Sequence, residues 1–287
     1  MTGIAVITAF PILVLTVIVL SVLLPMFVDA QVAAAATYLG FDRNTYPGDE
    51  NLKILRQTFS FAGYWLNNPP GETSNTWVGK REAIKSAGLG FLVLFNGRLD
   101  ADLKNVSRAT GMGKSDGEAA TSAAKREGFP AGTVIFLDQE QGGRMLPEQK
   151  AYIYRWVDTI NAAGFRAGIY CSGIAAKESH GVSIITANDI RENAGGRKVV
   201  YFVTNDGCPP SPGCAFPKTA PNSGQSGISF ADVWQFAQSP KRPEFAGACH
   251  NYSPDGNCYP PGMDANSRVH VDVESATSAD PSNGRSQ

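Results

Sequence analysis

The chain has 287 residues, with 25 basic and 26 acidic side chains, so its formal charge is −1. That balance leaves no pervasive basic field, and no nucleic-acid partner is expected. Apolar residues make up 43% and charged residues 18%, a globular composition that excludes wholesale disorder.

From Thr2 to Val28 no residue is charged, and Ile4 to Val28 is almost wholly apolar. Roughly 20 apolar residues span a bilayer as a helix. Residues 1–30 are therefore expected to be a signal anchor or a signal peptide. The long core, with no Lys or Arg before it, favours an uncleaved transmembrane helix. Val28-Asp29-Ala30 before Gln31 also offers a small-residue cleavage site. Either way the rest of the chain is expected to be extracytoplasmic, membrane-anchored or secreted, with the membrane as a partner through this helix.

Strand-like runs then alternate with amphipathic stretches. Residues 37–42, 59–66, 90–95, 132–138, 166–171, 198–203, 231–236 and 269–273 read as eight strands. Helical periodicity appears over 49–58, 77–87, 115–127, 147–163 and 185–193. The clearest helix begins at Pro147 and is followed by Gly164, the favoured start and stop signals. The pattern predicts an α/β chain with a (β/α)8 TIM-barrel-like single domain over residues 37–274. The stretches 206–227 and 237–267 are rich in Gly, Pro, Asn and Ser and are expected to replace regular helices. The polar tail 275–287 is expected to be disordered. No internal repeat or second domain is visible, and the protein is expected to act as a monomer.

Cysteine usage agrees with export. Cys208 and Cys214 bracket one Gly/Pro-rich loop, and Cys249 and Cys258 another. Two local disulfides in an oxidising compartment suit this spacing, although the two other connectivities stay open. Cys171 lies in an apolar strand-like run and reads as a buried free thiol. Asn105-Val106-Ser107 and Asn251-Tyr252-Ser253 fit the glycosylation acceptor pattern. No metal site is expected, because histidines and cysteines are few and scattered.

In barrel enzymes, catalytic side chains come from the C-terminal ends of the strands. Four acids fit that rule: Asp42 ends the first strand, Asp138 and Glu140 end the fourth, and Asp272 lies near the end of the eighth. Residues two apart in extended backbone project to the same side, so Asp138 and Glu140 point together into the mouth. Glycoside hydrolysis needs such a set, with one carboxyl protonated as acid and another ionised. Crowded acids split their pKa values and supply both forms at one pH. An arbitrary D-x-E is usually a solvated strand end; here it directly follows Val134 to Leu137 and precedes Gly142-Gly143. The alternation His270 to Glu274 leaves open which face is inward, and Glu274 shares the face of Asp272. Aromatics also gather at strand ends, where Tyr64, Trp65, Tyr170 and Trp234 are candidates for stacking on sugar rings. Gln235 and Asn96 add amides to the same rim.

These residues carry a resemblance. Gly40-Phe41-Asp42, Phe136-Leu137-Asp138-Gln139-Glu140, Ala167 to Ser172, Asp232 to Phe236 and Val271-Asp272-Val273 resemble the glycoside hydrolase family 25 lysozymes. They resemble more closely a related group of secreted glycoside hydrolase-like domains. The match spans roughly Tyr38 to Glu274, and the order of the motifs is more specific than any one of them. It implies a barrel acting on bacterial cell-wall glycan, with Glu140 as proton donor, Asp138 as its carboxylate partner, and Asp42 and Asp272 lining the pocket. The two cysteine-bearing loops depart from the lysozymes.

The expected function is thus an exported glycosidase cleaving β-linked cell-wall polysaccharide such as peptidoglycan, with no cofactor. The alternative is a glycan-binding barrel without turnover. A phosphodiester-cleaving barrel would want more histidines or metal ligands at the strand ends. Carboxylates tied up by Arg43, Arg98 or Arg144 would favour the binding module.

Overall fold

The computed structural model describes residues 1–4, 36–245 and 247–285. The expected anchor or signal, from residue 5 to residue 30, lies outside the described residues. Among the described residues no helix is long and apolar enough to cross a membrane. Residues 35–287 form one compact unit, which holds the whole barrel core and both disulfides.

The strands are β1 (Tyr38–Asp42), β2 (Phe61–Trp65), β3 (Gly90–Asn96), β4 (Val134–Asp138), β5 (Arg166–Ser172), β6 (Ala175–Lys177), β7 (Ser183–Ile185), β8 (Val200–Thr204), β9 (Val233–Ala237) and β10 (Asp272–Ala276). Eight of them close a barrel in the order β1, β10, β9, β8, β5, β4, β3, β2, while β6 and β7 form a separate hairpin. The helices are α1 (Leu52–Thr58), α2 (Arg81–Ser86), α3 (Asp100–Leu103), α4 (Val106–Arg126), α5 (Pro147–Ala162) and α6 (Thr186–Glu192). All eight expected strands form. The 206–227 and 237–267 stretches hold only short 3-10 turns, as their composition predicts.

Alternation explains how the barrel fills. Aromatic side chains at Phe61, Phe136 and Phe202 are fully or almost fully buried, and Phe136 meets Phe202 edge-on at 6.0 Å. Glycine makes room for them. A Cβ on Gly40 would fall 1.9 Å from the Phe61 ring, and one on Gly168 would fall 2.3 Å from Phe136. Truncating one such phenylalanine to alanine costs about 3–5 kcal/mol.

Four expectations need correction. First, the barrel is mixed rather than all-parallel: β10 runs antiparallel to both β1 and β9. A parallel neighbour needs a crossover, commonly a helix, whereas an antiparallel one is reached by a loop on one end. The 238–271 connection, with no α-helix among its described residues, leaves β9 at the mouth and re-enters β10 at the mouth. Second, the disulfides are Cys208–Cys249 and Cys214–Cys258, not local closures. The two loops lie side by side, with Cys214 N donating to His250 O at 3.3 Å, so each cysteine faces the other loop. Third, the tail is ordered through residue 285. Ser282 is fully buried, its N–H donates to Phe91 O at 2.9 Å, and its carbonyl accepts from Val134 N at 2.8 Å. These bonds satisfy the ends of β3 and β4 and seal the barrel bottom. Fourth, α4 starts nine residues earlier than the Ala-rich stretch indicates. Asn105 caps it by accepting from Arg108 N at 2.9 Å. Gly113 and Gly117 lie one turn apart and let α5 approach; a Cβ on Gly113 would sit 2.3 Å from Tyr152 O.

Candidate active site

The reversed strand still delivers Asp272 to the mouth, because its start now lies beside the ends of the parallel strands. Asp42 and Asp272 are register partners. Asp42, Asp138, Glu140 and Asp272 line one cavity of about 150 Å³ with Trp65, Tyr170, Gln235 and others. Two further cavities adjoin it. One of about 330 Å³ shares Asp42, Asn44 and Asp272, and one of about 270 Å³ shares Asp138 and Glu140. Together they make a groove across the barrel mouth.

Gln235 organises the centre. Its amide donates to Asp42 at 3.3 Å and to Asp272 at 3.1 Å, and its carbonyl accepts from the Tyr170 hydroxyl at 2.7 Å. Ser239 N donates to the other Asp272 oxygen at 2.7 Å. Gly63 leaves space for Asp42, since a Cβ there would lie 2.5 Å from the Asp42 Cβ.

Burial dominates the electrostatics. Asp42 is 6% exposed and Asp138 5% exposed. Withdrawal from water raises Asp42 to about 6, although hydrogen bonds from Glu274 and Gln235 oppose the rise. Asp138 rises well above the carboxylate range through burial first, then through Glu140 and Asp42. Asp272 does the same through burial and Asp42. Glu140 reaches solvent at the rim. The surrounding wall still raises its pKa, while a hydrogen bond from Asp138 pulls it down. The proton of this pair therefore rests on Asp138, and Glu140 holds the more ionised carboxyl. Beneath Asp42 lies Glu274, fully buried. Burial, and then the charges of Asp42 and Asp272, hold it protonated.

No mouth carboxylate is tied to a cation among the described residues. Arg98 forms its ion pair with Asp116, at 2.7 Å, and Arg144 with Glu178, at 2.9 Å. Arg43 donates only to the Arg268 carbonyl, at 3.3 Å.

Strand alternation splits the aromatic candidates. Trp65 and Tyr170 face the mouth, and Asn96 lines the adjoining cavity. Tyr64 does not: it is fully buried outside the barrel, donates to Glu127 and packs edge-on against Phe91 and Phe129. Trp234 likewise turns outward, with its indole N–H on Asn205 O at 3.0 Å. Each neighbours a residue that points inward, Trp65 and Gln235, so side-chain period alone decides the matter. Gln238 is a mouth residue that the sequence pattern does not single out. It lies just past β9 in an irregular loop and donates to the Tyr170 hydroxyl at 3.3 Å. Cys171 is buried and its thiol is raised to about 12 by burial, so it is no nucleophile.

A family model described as "Rv2525c-like, glycoside hydrolase-like domain" matches residues 56–202. No curated protein matches the chain. An uncharacterized B. stearothermophilus protein of known structure is 18% identical, with 82% of this chain and 94% of that chain covered and a TM-score of 0.52. The Mycobacterium tuberculosis Tat-secreted protein Rv2525c, solved in complex with L-tartrate, is 13% identical, with 84% and 95% covered and a TM-score of 0.48. The modular autolysin LytC from Streptococcus pneumoniae, in complex with a synthetic peptidoglycan ligand, is 11% identical, with 83% and 46% covered and a TM-score of 0.45. At such identities the first of these shows a shared fold and nothing more.

Proposed function

Because the chain belongs to the Rv2525c-like, glycoside hydrolase-like domain family, we propose that it is an exported glycosidase that hydrolyses β-linked cell-wall glycan by carboxylate catalysis. The observation that carries this reading is the set of mouth acids, Asp42, Asp138, Glu140 and Asp272, gathered in one groove with no cation among the described residues paired to any of them. Glycoside cleavage passes through an oxocarbenium-like transition state with positive charge on the sugar. A water-poor cup of carboxyls favours that charge.

Roles follow from exposure. Glu140 is the acid that reaches the open groove, so it is the one able to touch a glycosidic oxygen. Asp138 stands behind it and stores the proton, which passes to Glu140 as substrate displaces water. Asp42 and Asp272, fixed by Gln235, face the other side of the sugar and stabilise the developing charge. Trp65 and Tyr170 offer ring faces to the sugar, and Asn96 an amide. The motif order resembles the family 25 lysozymes, which makes peptidoglycan the first substrate to try. The apolar N-terminal segment and the two disulfides fit work outside the cytoplasm.

The test uses residues 31–287 with disulfides formed. The protein is incubated with purified peptidoglycan and, separately, with chitin and other β-glucans, and new reducing ends are detected by mass spectrometry beside a Glu140→Gln control. New ends that vanish in the variant support the assignment. Polymer that pelletises both proteins without new ends would replace it with a glycan-binding barrel.

A further inference from the structure

A second concave region lies at the opposite end of the barrel. It is lined by the start of β5, the start of β8 and the approach to β9, and its volume is about 800 Å³, within the usual range of small-ligand sites. Arg166, Arg191, Arg197 and Lys198 line it, against the single carboxylate of Asp232. Arg166, Arg191 and Lys198 make no ion pair among the described residues. Like charges in a concavity reinforce each other's potential, so the groove is locally basic although the chain's net charge is −1.

The cations are also held in place. Asp158 grips the Arg197 guanidinium through two hydrogen bonds, at 2.8 and 3.0 Å. Arg191 lies over the Phe230 ring at 4.2 Å, and Phe230 packs edge-on against Tyr201 at 4.9 Å. Stacked guanidinium groups lose less freedom on binding and keep their N–H forks for an anion. One oxygen of Asp232 accepts from Tyr201 N at 2.8 Å, which leaves the other for a hydroxyl. The Asn161 carbonyl accepts from Ala167 N at 3.1 Å, which leaves its amide N–H groups as donors.

We propose that this groove binds a phosphate ester of a polyol or sugar. Phosphate suits the arginine forks and carries more charge than one carboxylate. The polyol suits Asp232 and Asn161, and its C–H faces suit Phe230. The same chemistry occurs in soluble phosphate esters and in glycerol-phosphate lipid headgroups.

Both sources are tested with the full chain. Glycerol 3-phosphate is titrated calorimetrically at low salt, with glycerol as the neutral control. Separately, the protein is sedimented with phosphatidylcholine vesicles with and without phosphatidylglycerol. Binding in either arm that weakens about tenfold or more in Arg191→Glu/Lys198→Glu, and survives in Glu140→Gln, supports the proposal and identifies the source. Arg166→Glu, at an exposed strand start, is the second variant and removes dependence on the folding of the first. No binding in either arm overturns it. So does equal binding of glycerol, or binding that all charge-reversed variants retain.

Discussion

The two ends of the barrel handle charge in opposite ways. At the mouth, Asp42 and Asp138 are buried, Gln235 bonds to Asp42 and Asp272, Glu140 reaches the rim, and among the described residues no cation pairs with these acids. At the far end, Arg166, Arg191 and Lys198 are exposed, Arg191 lies on the Phe230 ring, Arg197 is held by Asp158, and Asp232 is the carboxylate of the lining. Burial makes the difference chemical. A buried acid answers to pH, because withdrawal from water moves its pKa. An exposed cation answers to ionic strength, because salt screens it over about 10 Å. The two regions are therefore separable by experiment.

The largest effect belongs to Glu140. Glu140→Gln is expected to lower glycan cleavage by about 10²- to 10⁴-fold, the usual contribution of a general acid, while Arg191→Glu/Lys198→Glu leaves cleavage unchanged. Loss of cleavage in both would merge the two regions into one site.

The disulfides brace only the mouth. Each closes a stretch of 41 or 44 residues, and constraining such a loop in the unfolded chain stabilises by about 4 kcal/mol. The variant Cys214→Ala/Cys258→Ala is expected to lose stability on that scale in urea unfolding. Its cleavage should fall more than its phosphate binding. A variant that lost both equally would show that the loops serve the whole barrel.

The next effect is on pH. Asp42 has a folded pKa of about 6 against 3.8 for the unconstrained group. Between those values the native state binds more protons than the unfolded state, so stability falls as pH rises. The loss is roughly 3 kcal/mol once the pH exceeds the folded value. Asp138, Asp272 and Glu274 are raised in the same direction and extend the fall toward neutrality. Below about pH 4, Asp49, Glu178 and Asp255 act in reverse, because their pKa values are lowered and protonation removes their bonds. Melting temperature is thus expected to peak in mild acid and decline from about pH 5 to 8. A flat profile across that range would mean that the mouth acids are not buried as described.

Legibility in the sequence differs from residue to residue. The eight strands and the acids at their ends follow from short apolar runs alternating with amphipathic stretches, and Asp42, Asp138, Glu140 and Asp272 do meet. The sequence, with an aromatic at each strand end, predicts Tyr64 and Trp234 in the mouth. Only the register, one residue out of phase with Trp65 and Gln235, sends them outward. The reversal of β10 is a long-range consequence of a connection with no helix. Cysteine pairing depends on two loops meeting in space, which spacing along the chain does not encode. The basic groove draws Arg166, Arg191, Arg197 and Lys198 from an interval without any motif. Its signal is a cluster in space alone.

The smallest effect separates inner from outer faces with one chemical change. The Tyr170 hydroxyl donates to Gln235 at 2.7 Å, and Gln238 donates to that same Gln235 oxygen at 3.2 Å. Tyr170→Phe therefore removes the hydroxyl's bonds to Gln235 and Gln238 but orphans neither, because Gln238 still donates to Gln235, and stability should fall by only about 1 kcal/mol. Gln235 is then freer to turn away from Asp42. Its hydrogen bond is among the contacts that lower the Asp42 pKa, so the acid limb of the cleavage profile should move upward from near 6. Tyr64→Phe removes a hydroxyl of the same kind, but one bound to Glu127 outside the barrel. It should cost stability on the same scale and leave the profile where it was. If both substitutions shift the profile alike, the control of Asp42 does not run through Gln235, and the acids of the mouth are tuned by burial alone.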